Sequence, residues 1–199
     1  MKKFLVFAII FLAFNLNAQE KLTSYKCNLS TTPFDILVND KSNGSYSILI
    51  KMHTSDKINK NGGINIDSEI HLEFIDKLNK AKLKYSEWVK VAKENKVKEF
   101  IKEMDFTVST SSAHFFIKDQ IHLQLNVDLK CRFIVVDELM SLFISTGTLK
   151  SFLQKDISHD GFKFVFTSEK EISDFIDKIS VQKVKDFIKK PKTSDLFKN

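Results

Sequence analysis

DGFKFVFTSEKEISDFIDKISVQKVKDFIKK, residues 160–190, is the stretch whose reading decides the fold. Asp160-Gly161 predicts a turn, Phe162 to Phe166 a short strand, and Thr167-Ser168 the entry to a helix that Pro191 must end. Ser168-Glu169-Lys170-Glu171 has the form of a capping box: the serine hydroxyl accepts from the amide three residues on, and the glutamate reaches back. Ile172, Phe175, Ile176 and Ile179 then share one helical face, and Val184, Phe187 and Ile188 resume it after a phase slip near Ser180. A strand handing over to a capped amphipathic helix predicts an α+β chain in which the apolar sides of sheet and helix cover each other.

The same order occurs about a hundred residues earlier. Gly62-Gly63 is followed by Ile64 to Ile66, by Asp67 or Ser68 as a cap, and by a helical stripe of Ile70, Phe74, Leu78, Ala81, Tyr85, Trp88 and Ala92. Asn95-Lys96 interrupts this stripe, and Val97, Phe100, Ile101 and Met104 resume it, predicting one bent helix or two abutting ones. Glu73–Leu78 resembles Asp174–Ile179, and Lys96–Lys102 resembles Lys183–Lys189. The expectation is antiparallel β meanders each followed by an amphipathic helix, an internal duplication with halves of about 33–104 and 105–190 around a pseudo-two-fold axis. The bland alternative is that Lys/Glu/Phe/Ile helices look alike through composition alone.

Elsewhere the pattern is mainly β. Pro33 precedes a strand at Phe34 to Val38, and Asn43-Gly44 predicts the turn into Tyr46 to Met52. Gln19 to Thr32 has no period and reads as an arm, and His53 to Asn61 as a loop. Phe106 to Ser109 and His114 to Lys118 are strands, with turns expected at Ser111-Ser112 and Asp119-Gln120. Ile121, Leu123, Leu125, Val127 and Leu129 alternate with His122, Gln124, Asn126, Asp128 and Lys130, predicting a strand with one wet face and so an antiparallel sheet. Two more apolar runs flank Asp137-Glu138.

Met1 to Ala18 has the charged start (Lys2-Lys3), apolar run and small final residue of a secretory signal peptide. The expectation is one domain over 19–190, cleaved of its leader, without a membrane anchor, periplasmic or secreted, with a flexible tail at 191–199. Without the leader lysines the formal charge falls from +6 to +4, spread along helices that also carry Glu and Asp. Arg132 is the single arginine, whereas a nucleic-acid surface wants a clustered, arginine-bearing stripe, so no nucleic-acid partner is expected. Cys27 and Cys131 form a candidate disulfide in an oxidising compartment, the alternative being two buried thiols.

Chemistry-bearing residues are sparse. The five histidines (His53, His71, His114, His122 and His159) show no ligand spacing with a carboxylate, so no metal or other cofactor is expected. His114 and His122 share a face only if their hairpin register allows it; His71 in a first helical turn and His122 on a wet strand face read as solvated. Serine clusters at 109–112 and 145–148 lack a glycine frame, and the acid pairs Asp137-Glu138 and Asp156 with Asp160 fall at turns. The function expected is a non-enzymatic exported binding or interaction module, presenting either the polar sheet face or a groove between sheet and helices to a protein partner. The alternative is a carrier or chaperone for a small apolar ligand. A hydrolase, the third class, needs a histidine beside Cys27, Cys131 or a serine in a polar pocket.

Overall fold

The computed structural model describes residues 19–30, 32–41, 43–53 and 61–190. The expected leader (1–18), most of the loop after His53 and the tail (191–199) lie outside the described residues. The elements in order are β1 (Glu20–Tyr25), β2 (Phe34–Asp40), β3 (Tyr46–His53), β4 (Asn61–Asp67), α1 (Ser68–Glu94), β5 (Glu99–Ile117), β6 (Gln120–Val136), β7 (Leu139–Ser145), β8 (Leu149–Lys150), β9 (Ser158–His159), β10 (Lys163–Phe166), α2 (Glu169–Lys178) and α3 (Val181–Lys189). One antiparallel sheet runs in the order β1-β2-β3-β4-β5-β6-β7-β10, with β8-β9 as a separate two-stranded piece. The chain is therefore mixed α+β, a large antiparallel sheet with helices on one face.

The tight turns follow from their residues. Gly44, at φ 82°, supplies the left-handed step between β2 and β3. Lys118-Asp119 (φ 48° and 63°) and Asp137-Glu138 (φ 49° and 68°) make the two-residue hairpins after β5 and β6, where both central residues need positive φ to match the strand twist. On the helix-facing side, Phe34, Ile36 and Val38 of β2, Ile48 and Ile50 of β3, and Ile64 and Ile66 of β4 are buried beneath α1 and its neighbours. Helix α1, 27 residues and about 40 Å long at 1.5 Å per residue, lays Phe74, Leu78, Ala81 and Tyr85 onto this layer. Its N-cap Asp67 makes no side-chain cap bond; the carboxylate instead pairs with Lys41 at 2.7 Å.

The sheet curls until its ends meet. Tyr25 of β1 and Phe34 of β2 reach Phe166 and Phe164 of β10, with ring centroids 6.4 and 5.3 Å apart, although these strands are at opposite ends of the order. Phe175 of α2 touches all four rings at 5.3 to 5.8 Å. Tilted pairs of this kind each contribute about 0.5–1.5 kcal/mol beyond their buried area. Glu171 locks the same seam: its carboxylate accepts from the Asn28 amide at 2.5 Å and the Thr167 amide at 2.8 Å, while its carbonyl accepts from the Tyr25 hydroxyl at 2.6 Å. Half of the expected capping box is thus present, since Ser168 Oγ accepts from Glu171 N at 3.2 Å, but the glutamate reaches one residue further back and across to the N-terminal strand. Gly62 fits where a side chain could not: a Cβ there would lie 2.4 Å from Phe162 and 2.6 Å from the His114 carbonyl.

Several expectations change. The N-terminal arm is partly strand β1, which the pattern missed because its side chains are mostly half-buried at an edge. Residues 97–104 are not helix. A Schellman motif ends α1: Lys96 takes φ 51°, Lys96 N donates to Lys93 O at 3.2 Å and Val97 N to Ala92 O at 2.9 Å, and the chain then pairs with β6 from Glu99 onward. The spacing of Val97, Phe100, Ile101 and Met104 fits a helix, and the alternation of Phe100, Lys102 and Met104 fits a strand; pairing with Val135 and Phe133 decides it. The resemblance of Lys96–Lys102 to Lys183–Lys189 therefore joins a turn and strand to helix α3, and is compositional there. Ser111-Ser112 is not a turn but part of continuous β5.

The wet-faced strand also breaks phase. In β6, Val127 and Leu129 are buried as expected and Cys131, Phe133 and Val135 continue that side, but Ile121 and Leu125 are exposed and His122 is buried. Asn126 at φ 51° marks the switch, and Thr110, Ser112 and Ala113 are all buried in the facing part of β5, so the apolar side of the hairpin changes parity there. In the second half the helix is broken into α2 and α3 with Ser180 as the second N-cap, accepting from Lys183 N, as the phase slip implied.

Candidate functional site

An open groove of about 340 Å³ lies where α1 ends and β5 begins. The last two turns of α1 contribute Glu87, Trp88, Val91 and Ala92; the cap residue Asn95 and then Val97 follow, β5 supplies Phe100 and Lys102, and Phe133 of β6 forms the floor. Its shape has a local cause. The Schellman turn brings Val97 back onto Ala92, and β5 then departs beneath the helix rather than continuing it, leaving a wedge between the two. Trp88 meets Phe133 at 5.8 Å between centroids, tilted by 65°. Phe100 remains 45 % exposed and Val91 50 % exposed, in a chain that buries most of its large apolar side chains.

Glu87 and Lys102 both line the groove, and further lysines stand nearby. Lys102 Nζ stands 5.0 Å and Lys84 Nζ 5.5 Å from the Trp88 ring, and Lys80 Nζ 4.2 Å from the Phe106 ring, all within cation–π reach. Lys84 also lies 3.9 Å from Asp105, an exposed pair that contributes little. Lys80 and Lys102 make no ion pair with a described residue. The arrangement can hold an apolar group against Trp88, Phe100 and Phe133 and meet negative charge beside it.

The residues singled out from sequence lie elsewhere. His71 is fully buried, not solvated. Its Nε2–H donates to the Ile179 carbonyl at 2.7 Å, so Nδ1 accepts the Tyr46 hydroxyl at 2.8 Å, and burial lowers its pKa. It pins the start of α1 to the end of α2. His114 and His122 pair with Leu123 and Phe115 in adjacent rows of the hairpin, so they point to opposite faces of the sheet and cannot share a metal. Burial pushes His114 down to about 4. His122 is 6 % exposed rather than on a wet face; it stacks on Phe115, and its Nδ1 lies 3.2 Å from Ser151 Oγ.

Among the described residues that last contact is the one side-chain hydrogen bond between a histidine and a serine. Ser151 is buried, its Oγ accepts from Gln154 N at 3.2 Å, and among the described residues His122 Nε2 has no hydrogen-bond partner. His159, near Phe115 and Phe162, accepts from Gly161 N at 2.9 Å; His53 ends β3. Among the described residues no group of three or more His, Cys, Asp or Glu is placed to hold a metal ion. Asp137-Glu138 forms the turn after β6, and Asp156 and Asp160 lie in loops beside β9.

Cys27 and Cys131 are separate buried thiols, so the cross-link weighed from sequence is not formed in this structure. Cys27 lies at the closing seam against the Val165 backbone, and burial pushes it to about 11; Cys131, inside β6, is pushed to about 12 for the same reason.

The groove was not legible as a site. Trp88 is one member of the α1 stripe, and the spacing around Phe100 predicts a helix. The available signal was the adjacent Phe100-Ile101 pair between charged residues, just past a break in period. Among the described residues no helix is long and apolar enough to cross a membrane. No protein-family model matches the chain, and no match to it is found among curated proteins or among solved structures.

Proposed function

We propose that this chain is an exported, non-enzymatic binding module and that it engages its partner through the groove between the end of α1 and the start of β5. The observation that carries this reading is the pair of exposed apolar side chains, Val91 and Phe100, flanking a groove floored by Trp88 and Phe133 and edged by Lys102 and Glu87. Binding sites are concave and mainly apolar with a few placed polar groups, and this groove has that character. Its openness to solvent favours contact with a partner over enclosure of a small apolar ligand. The proposal keeps a common ancestry for the two halves of the chain, supported by four sheet strands and then helix on each side of the β4–β5 pairing.

Trp88 is the only tryptophan, which supplies the assay. The apolar anion 1-anilinonaphthalene-8-sulfonate, titrated into the full chain, is expected to saturate at one site with energy transfer from Trp88. Phe100→Glu, at an exposed position, should abolish that binding with the circular dichroism unchanged. Dye uptake that is absent, or that persists in a folded Phe100→Glu variant, overturns the reading.

A further inference from the structure

Building on that reading of the groove, we propose that the partner is an extended peptide segment that adds a strand to the free edge of β5, seating an apolar side chain in the groove and acidic side chains against its lysines. β4 pairs with β5 only from Gly62 to Asn65, opposite Phe115 to Ser112, and the chain leaves the sheet for α1 after Asp67. Glu99 to Glu103 consequently pair with β6 on one side and with no described strand on the other. An unpaired edge presents main-chain donors and acceptors that a second chain can complete, with specificity read by pockets for alternate side chains.

Those pockets are already in register. Phe100 and Lys102 pair with the buried Val135 and Phe133, so they project to the helix side and line the groove, while Glu99, Ile101 and Glu103 project the other way. Side chains of an added strand lying beside Phe100 and Lys102 would fall on the same side, next to Trp88. Downstream, the irregularity between Glu103 and Thr107 interrupts the ladder, which confines the docking stretch to Glu99–Glu103. Lys84 and Lys102 stand over Trp88 on the helix side of this edge, against the one carboxylate of the groove lining, Glu87, and so favour acidic neighbours to the apolar anchor. A fatty acid would use the groove and the lysines but leave the edge unused.

The test is selection of random linear peptides displayed against the full chain. Enriched sequences should alternate apolar with acidic residues, shift Trp88 emission, and slow amide exchange within residues 99–103. N-methylation of alternate backbone nitrogens in a selected peptide, which removes about two main-chain bonds, should weaken binding roughly tenfold or more. If the dye binds but no acidic-apolar peptide is enriched, if N-methylation leaves affinity unchanged, or if laurate competes for the groove where peptides do not, strand addition is wrong while the groove stands. If neither dye nor peptide binds, both readings fall.

Discussion

Glu171→Ala removes the acceptor that joins the N-terminal strand to the C-terminal helices. The side chain is 6 % exposed, and its two oxygens serve three donors: Asn28 N at 2.5 Å, Thr167 N at 2.8 Å and Thr167 Oγ1 at 3.1 Å. The hydroxyl can turn to another acceptor or to water; the two amides cannot move without the backbone. Leaving a buried donor unsatisfied costs about 1–3 kcal/mol, and these amides are only partly buried, so the pair predicts a loss of about 2–4 kcal/mol. Glu171→Gln keeps one acceptor oxygen for two amides and should lose about half as much. The Tyr25 hydroxyl bond survives in both variants because it goes to the residue 171 carbonyl. Urea unfolding should show a lower midpoint at constant slope, and hydrogen exchange should accelerate at Asn28 and Thr167 in particular. An alanine variant within about 1 kcal/mol of the parent, with Asn28 still protected, would refute the idea that this carboxylate closes the sheet.

Two further outcomes follow from buried titratable groups. His114 and His71 are held neutral by burial, with pKa values below the ordinary one, so below about pH 6.5 the unfolded chain binds more protons than the native one. Their contribution is complete above that pH and is lost as pH falls; for His114, down to about 4, the loss is about 3 kcal/mol, and His114→Leu should flatten the stability profile across this window. Cys27 and Cys131, pushed to about 11 and about 12, should resist iodoacetamide at pH 8 in the native chain and react together in denaturant; recovery of a cross-linked species without oxidant would contradict two separate buried thiols.

Much of the local structure could be read in advance. Asn43-Gly44 and Asp137-Glu138 sit at turns, the stripe from Phe74 to Tyr85 lies on the core, and the slip at Ser180 divides α2 from α3. Each of these depends on neighbours within a few residues, and backbone sterics and side-chain period act over that range. The groove is hidden in the sequence because its two walls belong to elements whose boundary spacing does not define: the period of Val97 to Met104 fits a helix as well as a strand. Local pattern likewise does not distinguish the buried His71 and His122 from solvated imidazoles. An imidazole's surroundings are set by what packs on it, here the Ile179 carbonyl, distant in the chain, for His71, and for His122 Phe115 across the hairpin and Ser151 from a later loop.

Local pattern in the chain therefore determined that strands and amphipathic helices would form, that the strands would pair antiparallel, and which side of most elements would be apolar, because those properties come from residue type and short-range periodicity. Tertiary structure decided the curl that brings Tyr25 and Phe34 against Phe164, Phe166 and Phe175, the change of parity at Asn126, and the exit of the chain from α1 into β5. These depend on contacts between segments more than a hundred residues apart or on competition between two acceptable local conformations, and only burial summed over the folded chain selects among them.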